Sequence, residues 1–167
     1  TPDFTIDNLA PAAPVIALSA APANDCYKDG ETVTFTVSVI EQGCGTFDEN
    51  NVTVSVDNGL TATFDAVTGV TGTGNPWVLT YTIPVTGATV DQTYTITATT
   101  TDAAGNGPVA EAAAETFDVD NTAPVIVDYN VTSGACTGAT QTVTFTVTLE
   151  EEGCGTFNQN DITPAID

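Results

Sequence analysis

Oxygen-bearing side chains crowd two places in this chain, and proline marks both. In Phe117–Ile126, FDVDNTAPVI, the carboxylates of Asp118 and Asp120 and the amide of Asn121 precede Pro124. In Phe4–Asn8, FTIDN, Asp7 and Asn8 precede Pro11 and the run Ala13-Pro14-Val15-Ile16. Proline bars the preceding residue from helix and cannot extend a sheet interior, so each stretch ends one folded unit and begins the next. Carboxylates and amides packed into such a joint are oxygen donors, the ligand type of a hard cation. Ca2+ accepts six to eight of them, whereas Mg2+ wants a tighter octahedron and keeps its waters. Two joints with one wording imply a repeated unit.

Other chemistries are poorly supplied. The 167 residues contain one Lys+Arg, 22 Asp+Glu and no His, a formal net charge of −21. Phosphate contacts need Lys and Arg, so neither nucleic acid nor insertion into an anionic membrane is expected. With no His, no Arg and a single Lys there is no phosphate clamp and no ordinary general base. An acid pair of the glycosidase type is all that remains, and nothing marks two carboxylates as such a pair; the chain is not expected to be an enzyme. So acidic a fold repels itself unless divalent cations neutralise part of the charge, although a solubilising surface or a salty habitat would also select acids.

Hydrophobic residues make up 41% of the chain and alternate regularly, which favours a globular protein over a disordered one. No apolar run approaches a membrane span. The chain has no Met and opens on Thr1, as a processed product or excised piece would. Four cysteines, with no His and no CxxC pair, fit disulfides better than zinc or thiol chemistry, and place the protein outside the cytoplasm, extracellular or at a cell surface.

The repeat is plain once sought. TVTFTV at Thr32–Val37 recurs at Thr142–Val147, GCGTF at Gly43–Phe47 recurs at Gly153–Phe157, and Ala13–Ile16 matches Ala123–Ile126. Each block is displaced by 110 residues, as Cys26 is from Cys136. That is the length of an immunoglobulin-sized domain, not of a short solenoid repeat. Alternating, β-branched segments at Val15–Ser19, Thr32–Ile40, Val52–Val56, Thr61–Asp65, Trp77–Ile83, Thr93–Thr101 and Ala113–Asp120 predict seven strands in the first unit. The expected fold is all-β: tandem immunoglobulin-like Greek-key sandwiches, the second incomplete. Residues 1–9 would be the end of a preceding unit, 10–121 the first domain and 122–167 the first half of the second. Tyr94 sits where such sandwiches carry a corner tyrosine bonded back to backbone, though an ordinary half-buried aromatic fits equally. Phe35 and Trp77 read as core residues, one per sheet.

The run TATTTDAAGNGP at Thr97–Pro108, followed by FDVDNTAPVI, is similar to the end of bacterial Ig-like repeats in giant surface adhesins, and DNTAP resembles the interdomain linker of cadherins. The resemblance covers the first unit and the visible part of the second. It implies an extracellular rod of tandem sandwiches with calcium at the joints. The Cys-Gly pair of GCGTF lies outside the family pattern.

In this topology the second and sixth strands run toward the N-terminal end of their domain, so the loops after them lie beside the incoming linker. Glu41 and Asp102 should therefore approach Asp7 and Asn8. At the second joint Glu150, Glu151 and Glu152 should approach Asp118, Asp120 and Asn121. These residues are the candidate Ca2+ ligands; a merely solvated acidic surface is the alternative.

The same directions bear on the cysteines. A nine-residue strand between Cys26 and Cys44 spans roughly 30 Å, while a disulfide needs its Cα atoms within about 7 Å. Cys26 is then expected to bond Cys154 across the joint, with Cys44 and Cys136 reaching neighbouring units. A strand break would instead permit a local Cys26–Cys44 bridge. Asn51-Val52-Thr53 and Asn130-Val131-Thr132 are N-glycosylation sequons, and the single Lys28 rules out lysine isopeptides as a repeated device.

The function expected from these features is structural: a fibre or adhesin stalk whose partners are neighbouring copies or repeats of the same protein. Two alternatives differ in kind. One is a self-assembling filament subunit that lends its first strand to a neighbour. The other is a module for host or matrix glycans that uses Trp77 and Tyr81 as stacking platforms.

Overall fold

A computed structural model describes residues 3–22, 25–44, 48–69, 76–131, 143–151, 153–154 and 162–163. The strands among them are β1 (Val15–Leu18), β2 (Thr32–Ile40), β3 (Val52–Val56), β4 (Thr63–Gly69), β5 (Pro76–Pro84), β6 (Gln92–Thr100), β7 (Val109–Ala110), β8 (Glu115–Val119), β9 (Val125–Val131) and β10 (Phe145–Glu150). No α-helix occurs among the described residues; short 3-10 turns at Glu49–Asn51 and Asp57–Gly59 flank β3. The protein is all-β, and every strand pair is antiparallel.

Strand alternation builds the core. In β2, Val33, Phe35, Val37 and Val39 point one way and are completely buried, while the intervening Thr and Ser residues face out. β5 adds Leu79, Tyr81 and Ile83 to the same face, and the sheet runs β1-β2-β5-β4. A second sheet holds β3 and β6, with β7 and β8 sharing the far edge of β6: β7 pairs at Thr99–Thr100 and β8 at Gln92–Ile96. Its Val52, Tyr94, Ile96, Ala98, Phe117 and Val119 join the first sheet's residues in one buried cluster. Each such side chain contributes about 1.5–3 kcal/mol when fully buried, so this shared cluster holds the sheets face to face as a sandwich does.

Aromatic residues fasten the last strand. Phe117 stacks on Tyr94 (centroids 5.4 Å) and meets Tyr27 edge to face (5.9 Å). The Tyr94 hydroxyl donates to the Val90 carbonyl at 3.0 Å, a corner contact to backbone four residues upstream. The Tyr27 hydroxyl donates to Ala20 O at 2.7 Å.

Three details differ from the sequence reading. The fourth strand lies at Thr63–Gly69 rather than Thr61–Asp65, because Asp65 occupies a bulge between Phe64 and Ala66 and pairing continues past it. The final strand is two pieces: β7 pairs near the top of β6, then the chain bends at Ala112–Ala113 before β8. Phe35 and Trp77 are not one per sheet, since β2 and β5 are neighbours, and Trp77 is only half-buried.

β9 and β10 form a separate two-stranded sheet. They repeat β1 and β2 in sequence, yet Val143 and Phe145 are 48% and 42% exposed where their counterparts Val33 and Phe35 are at 0%. Ile126 lies opposite Leu149, whereas its counterpart Ile16 lies opposite Val37, a displacement of two residues that becomes three beyond the bulge at Thr148/Leu149, where Asp128 lies opposite Thr148 and its counterpart Leu18 opposite Phe35. A pair with no described second sheet against it has little to oppose such a slide.

Candidate functional site

Three carboxylates converge where the first linker meets the sandwich. β2 and β6 run toward the same end of the fold, so Glu41, directly after β2, and Asp102, two residues after β6, emerge side by side. Asp7 reaches them from the extended N-terminal segment. One oxygen from each of Asp7, Glu41 and Asp102 lies within 4.8 Å of the others. Glu41 and Asp102 are buried, at 6% and 4% exposure, and Asp7 is half-buried. The chain's one cationic side chain, Lys28, belongs to the β1–β2 loop at the opposite end, next to Asp29, whose N donates to Asn121 Oδ1 at 2.7 Å.

Backbone and amide groups hold these acids in place. Glu41 Oε1 accepts from Gln42 N and Gly43 N, both at 3.0 Å. Asp7 Oδ1 accepts from Leu9 N at 3.1 Å, and its Oδ2 accepts from Cys44 N at 3.0 Å. Asn106 ties the two sides: its N and Nδ2 donate to Asp102 Oδ1 (2.7 Å) and Oδ2 (2.5 Å), and Nδ2 also donates to Asp7 O at 3.2 Å. Burial pushes the Asp102 carboxyl up. Hydrogen bonds from the Asn106 side chain and from the backbone of Asn106, Gly105 and Ala104 outweigh it and hold the group below the usual carboxylate range. Hard oxygen donors with no cationic side chain against them suit a divalent cation of the calcium type. Asn8, also expected as a ligand, is exposed.

The second joint repeats part of this arrangement. Asp120 Oδ1 accepts from Thr122 N at 2.9 Å, the same two-residue turn that Asp7 makes. Glu151, the counterpart of Glu41, is half-buried, and its Oε1 is enclosed without a hydrogen-bond partner among the described residues. Glu150 is exposed at the end of β10, and Glu152 lies outside the described residues. Asp118 accepts from Thr93 Oγ1 at 2.5 Å. Asn121 is engaged by the sandwich itself, since its Oδ1 accepts from Asp29 N and its Nδ2 donates to Thr86 O (3.2 Å) and Thr89 O (2.8 Å). Its N donates to Asp91 Oδ1 at 2.7 Å. The position corresponding to Asp102 falls outside this sequence. A cleft of about 240 Å³ at this joint is lined by Asp91, Asp118, Asp120, Gly153 and Cys154, among others.

Cys26 and Cys154 stand at disulfide distance, with Cα atoms 6.0 Å apart. Cys44 is exposed and unbonded among the described residues, and Cys136 lies outside them. Of the sequon asparagines, Asn130 is exposed on β9 and Asn51 is half-buried. Of the two aromatics considered for glycan stacking, Tyr81 is buried against Phe35 (centroids 5.4 Å) and Trp77 is half-buried.

Two kinds of residue escaped the sequence reading. Gly43 and Gly153 each face a linker aspartate so closely that a Cβ would overlap its carboxylate. The signal was the recurring GCG, whose first glycine sits before the cysteine in both copies. Asn106 stands between two glycines in GNG, and only the fold brings Asp7 to it. No family model, no curated protein and no solved structure matches this chain.

Proposed function

We propose that this chain is part of an extracellular fibre or adhesin stalk built of end-to-end Ig-like repeats, whose joints are made rigid by Ca2+ and by disulfides between units. The observation that carries the reading is the convergence of Asp7, Glu41 and Asp102, two of them buried, in a chain with one basic residue. Three clustered carboxylates repel one another, and burial strengthens that repulsion, so a bound divalent cation stabilises the linker against the sandwich. Further support comes from the strand order, β1-β2-β5-β4 and β3-β6-β7/β8, which is that of the seven-strand immunoglobulin constant type. The Cys26–Cys154 pair suits an oxidising compartment. No helix among the described residues is long and apolar enough to cross a membrane.

Calorimetry and thermal melting of the full chain with Ca2+ and with chelator test the reading. Saturation at a hundred times the Kd should add about 2.7 kcal/mol. Asp102→Asn and Glu41→Gln should each remove most of that gain. A melting temperature indifferent to both calcium and chelator would sink the calcium joint.

Strand donation remains a second reading on one observation. Phe4 and Ile6 are 83% and 68% exposed, yet their counterparts Phe117 and Val119 are at 4% and 1% in the core. Phe4–Asp7 thus has the pattern of a last strand, and a neighbouring sandwich lacking that strand would bury it. Concentration-dependent assembly that is lost in Phe4→Ser would favour this route.

A further inference from the structure

Cys26 and Cys154 are 128 residues apart in sequence, and a loop of that length closes at an entropic cost unless something else brings its ends together. A path of non-covalent contacts runs from one cysteine to the other. Tyr27, next to Cys26, donates its N to Asp118 O and accepts from Asp120 N, both at 2.9 Å, which ties Cys26 to the end of β8. Asp120 then sets Oδ1 on Thr122 N and lays Oδ2 against Gly153, where any side chain would collide with it. Cys154 is the next residue.

The first joint contains the same seat without the bond. Asp7 lays Oδ2 against Gly43 and accepts from Cys44 N, while Cys44 is unbonded among the described residues. The seat is also indifferent to linker length. Asp7 and Asp120 are three residues further apart than the repeat, because Leu9–Pro14 is longer than Thr122–Pro124, yet each reaches the corresponding glycine. A contact that forms without the disulfide, and with either linker, is a docking contact in its own right.

We propose that the Gly-Cys step after β2 and after β10 is a docking seat for the linker aspartate, and that Asp120 in the Gly153 seat positions Cys154 to form its disulfide with Cys26. This deepens the reading of the joint given above and rests on it for the joint's role, but it does not require the cation. The chemistry is thiol–disulfide exchange with a small disulfide such as oxidised glutathione. One cysteine thiolate attacks a glutathione sulfur and expels one glutathione thiolate. The second cysteine thiolate then attacks the mixed disulfide, closing Cys26–Cys154 and expelling the other. The two cysteine protons end on the two glutathiones, and the pair is oxidised by two electrons as the small disulfide is reduced. The seat raises the effective concentration of one thiol at the other.

The test uses the full chain in a C44S/C136S background, which leaves one possible pair. Reduced protein is equilibrated in glutathione redox buffers containing chelator, thiols are trapped by alkylation, and the effective concentration of the pair is read by mass spectrometry. G153A and D120A should each lower it at least tenfold, and G43A, the same change at the other joint, should leave it unaltered. D120A adds no atom, so it keeps the test decisive if G153A misfolds, as far-UV circular dichroism would reveal. Wild-type effective concentration in D120A, or an equal drop in G43A, overturns the proposal. Because chelator is present throughout, this outcome is separate from whether calcium binds.

Discussion

Tyr27 and Tyr81 make part of the fold's stability depend on their protonation at high pH. Burial raises both hydroxyls above the ordinary tyrosine value, and the negative charge of Glu31 adds to the rise at Tyr27. A folded-state value above the unfolded one means that the native state holds its proton longer. Their contribution to stability is therefore full below about pH 10 and is lost as pH climbs through the raised values. Melting temperatures measured from pH 8 to 12 should stay flat and then drop, and the drop should shrink in Tyr81→Phe. Tyr94→Phe removes the donor to Val90 O and should cost about 1–3 kcal/mol in chemical denaturation. At this scale the acids of the first joint were legible, because strand direction alone decides which loops meet a linker. Asn121 was not. An amide reads as an oxygen ligand until the Asp29 N–H that donates to its Oδ1, and the Thr86 and Thr89 carbonyls that accept from its Nδ2, are in view.

Strands that repeat in sequence do unequal work. Phe35 in β2 is enclosed by both sheets, and Phe145 in β10 is 42% exposed. Phe35→Ala should cost about 3–5 kcal/mol and Phe145→Ala far less. Denaturant unfolding of both variants checks the contrast, and equal costs would mean that the β9–β10 face is covered in solution. The strands of the first unit were readable because a face that is buried throughout enforces strict alternation, as in β2, whose bounds match the reading residue for residue. Where alternation is interrupted, the sequence stops being a guide. Asp65 looks like the end of a strand and is a bulge within one, and the alanine run before β8 gives no sign that the chain changes level along β6.

For the whole molecule, charge is the dominant long-range term. With a formal net charge of −21, self-repulsion opposes compaction. Raising monovalent salt from 0.01 M to 1 M shortens the Debye length from about 30 Å to about 3 Å, so the melting temperature should rise with salt. A gain from Ca2+ that persists in high monovalent salt would belong to a site, because screening would already be complete. A gain that disappears would be screening alone.

The position of the sulfur bridge also decides which parts of the chain feel a pull. Among the described residues, every strand from β2 to β10 lies between Cys26 and Cys154, and only β1 lies outside. Tension applied at the two ends would pass through the bridge and bypass the enclosed strands, leaving β1 to be peeled from β2. The enclosed 128 residues hold back roughly 420–460 Å of contour length. Single-molecule stretching should show that length only after a reductant is added, so the chain would behave under load as a short tether with a long reserve.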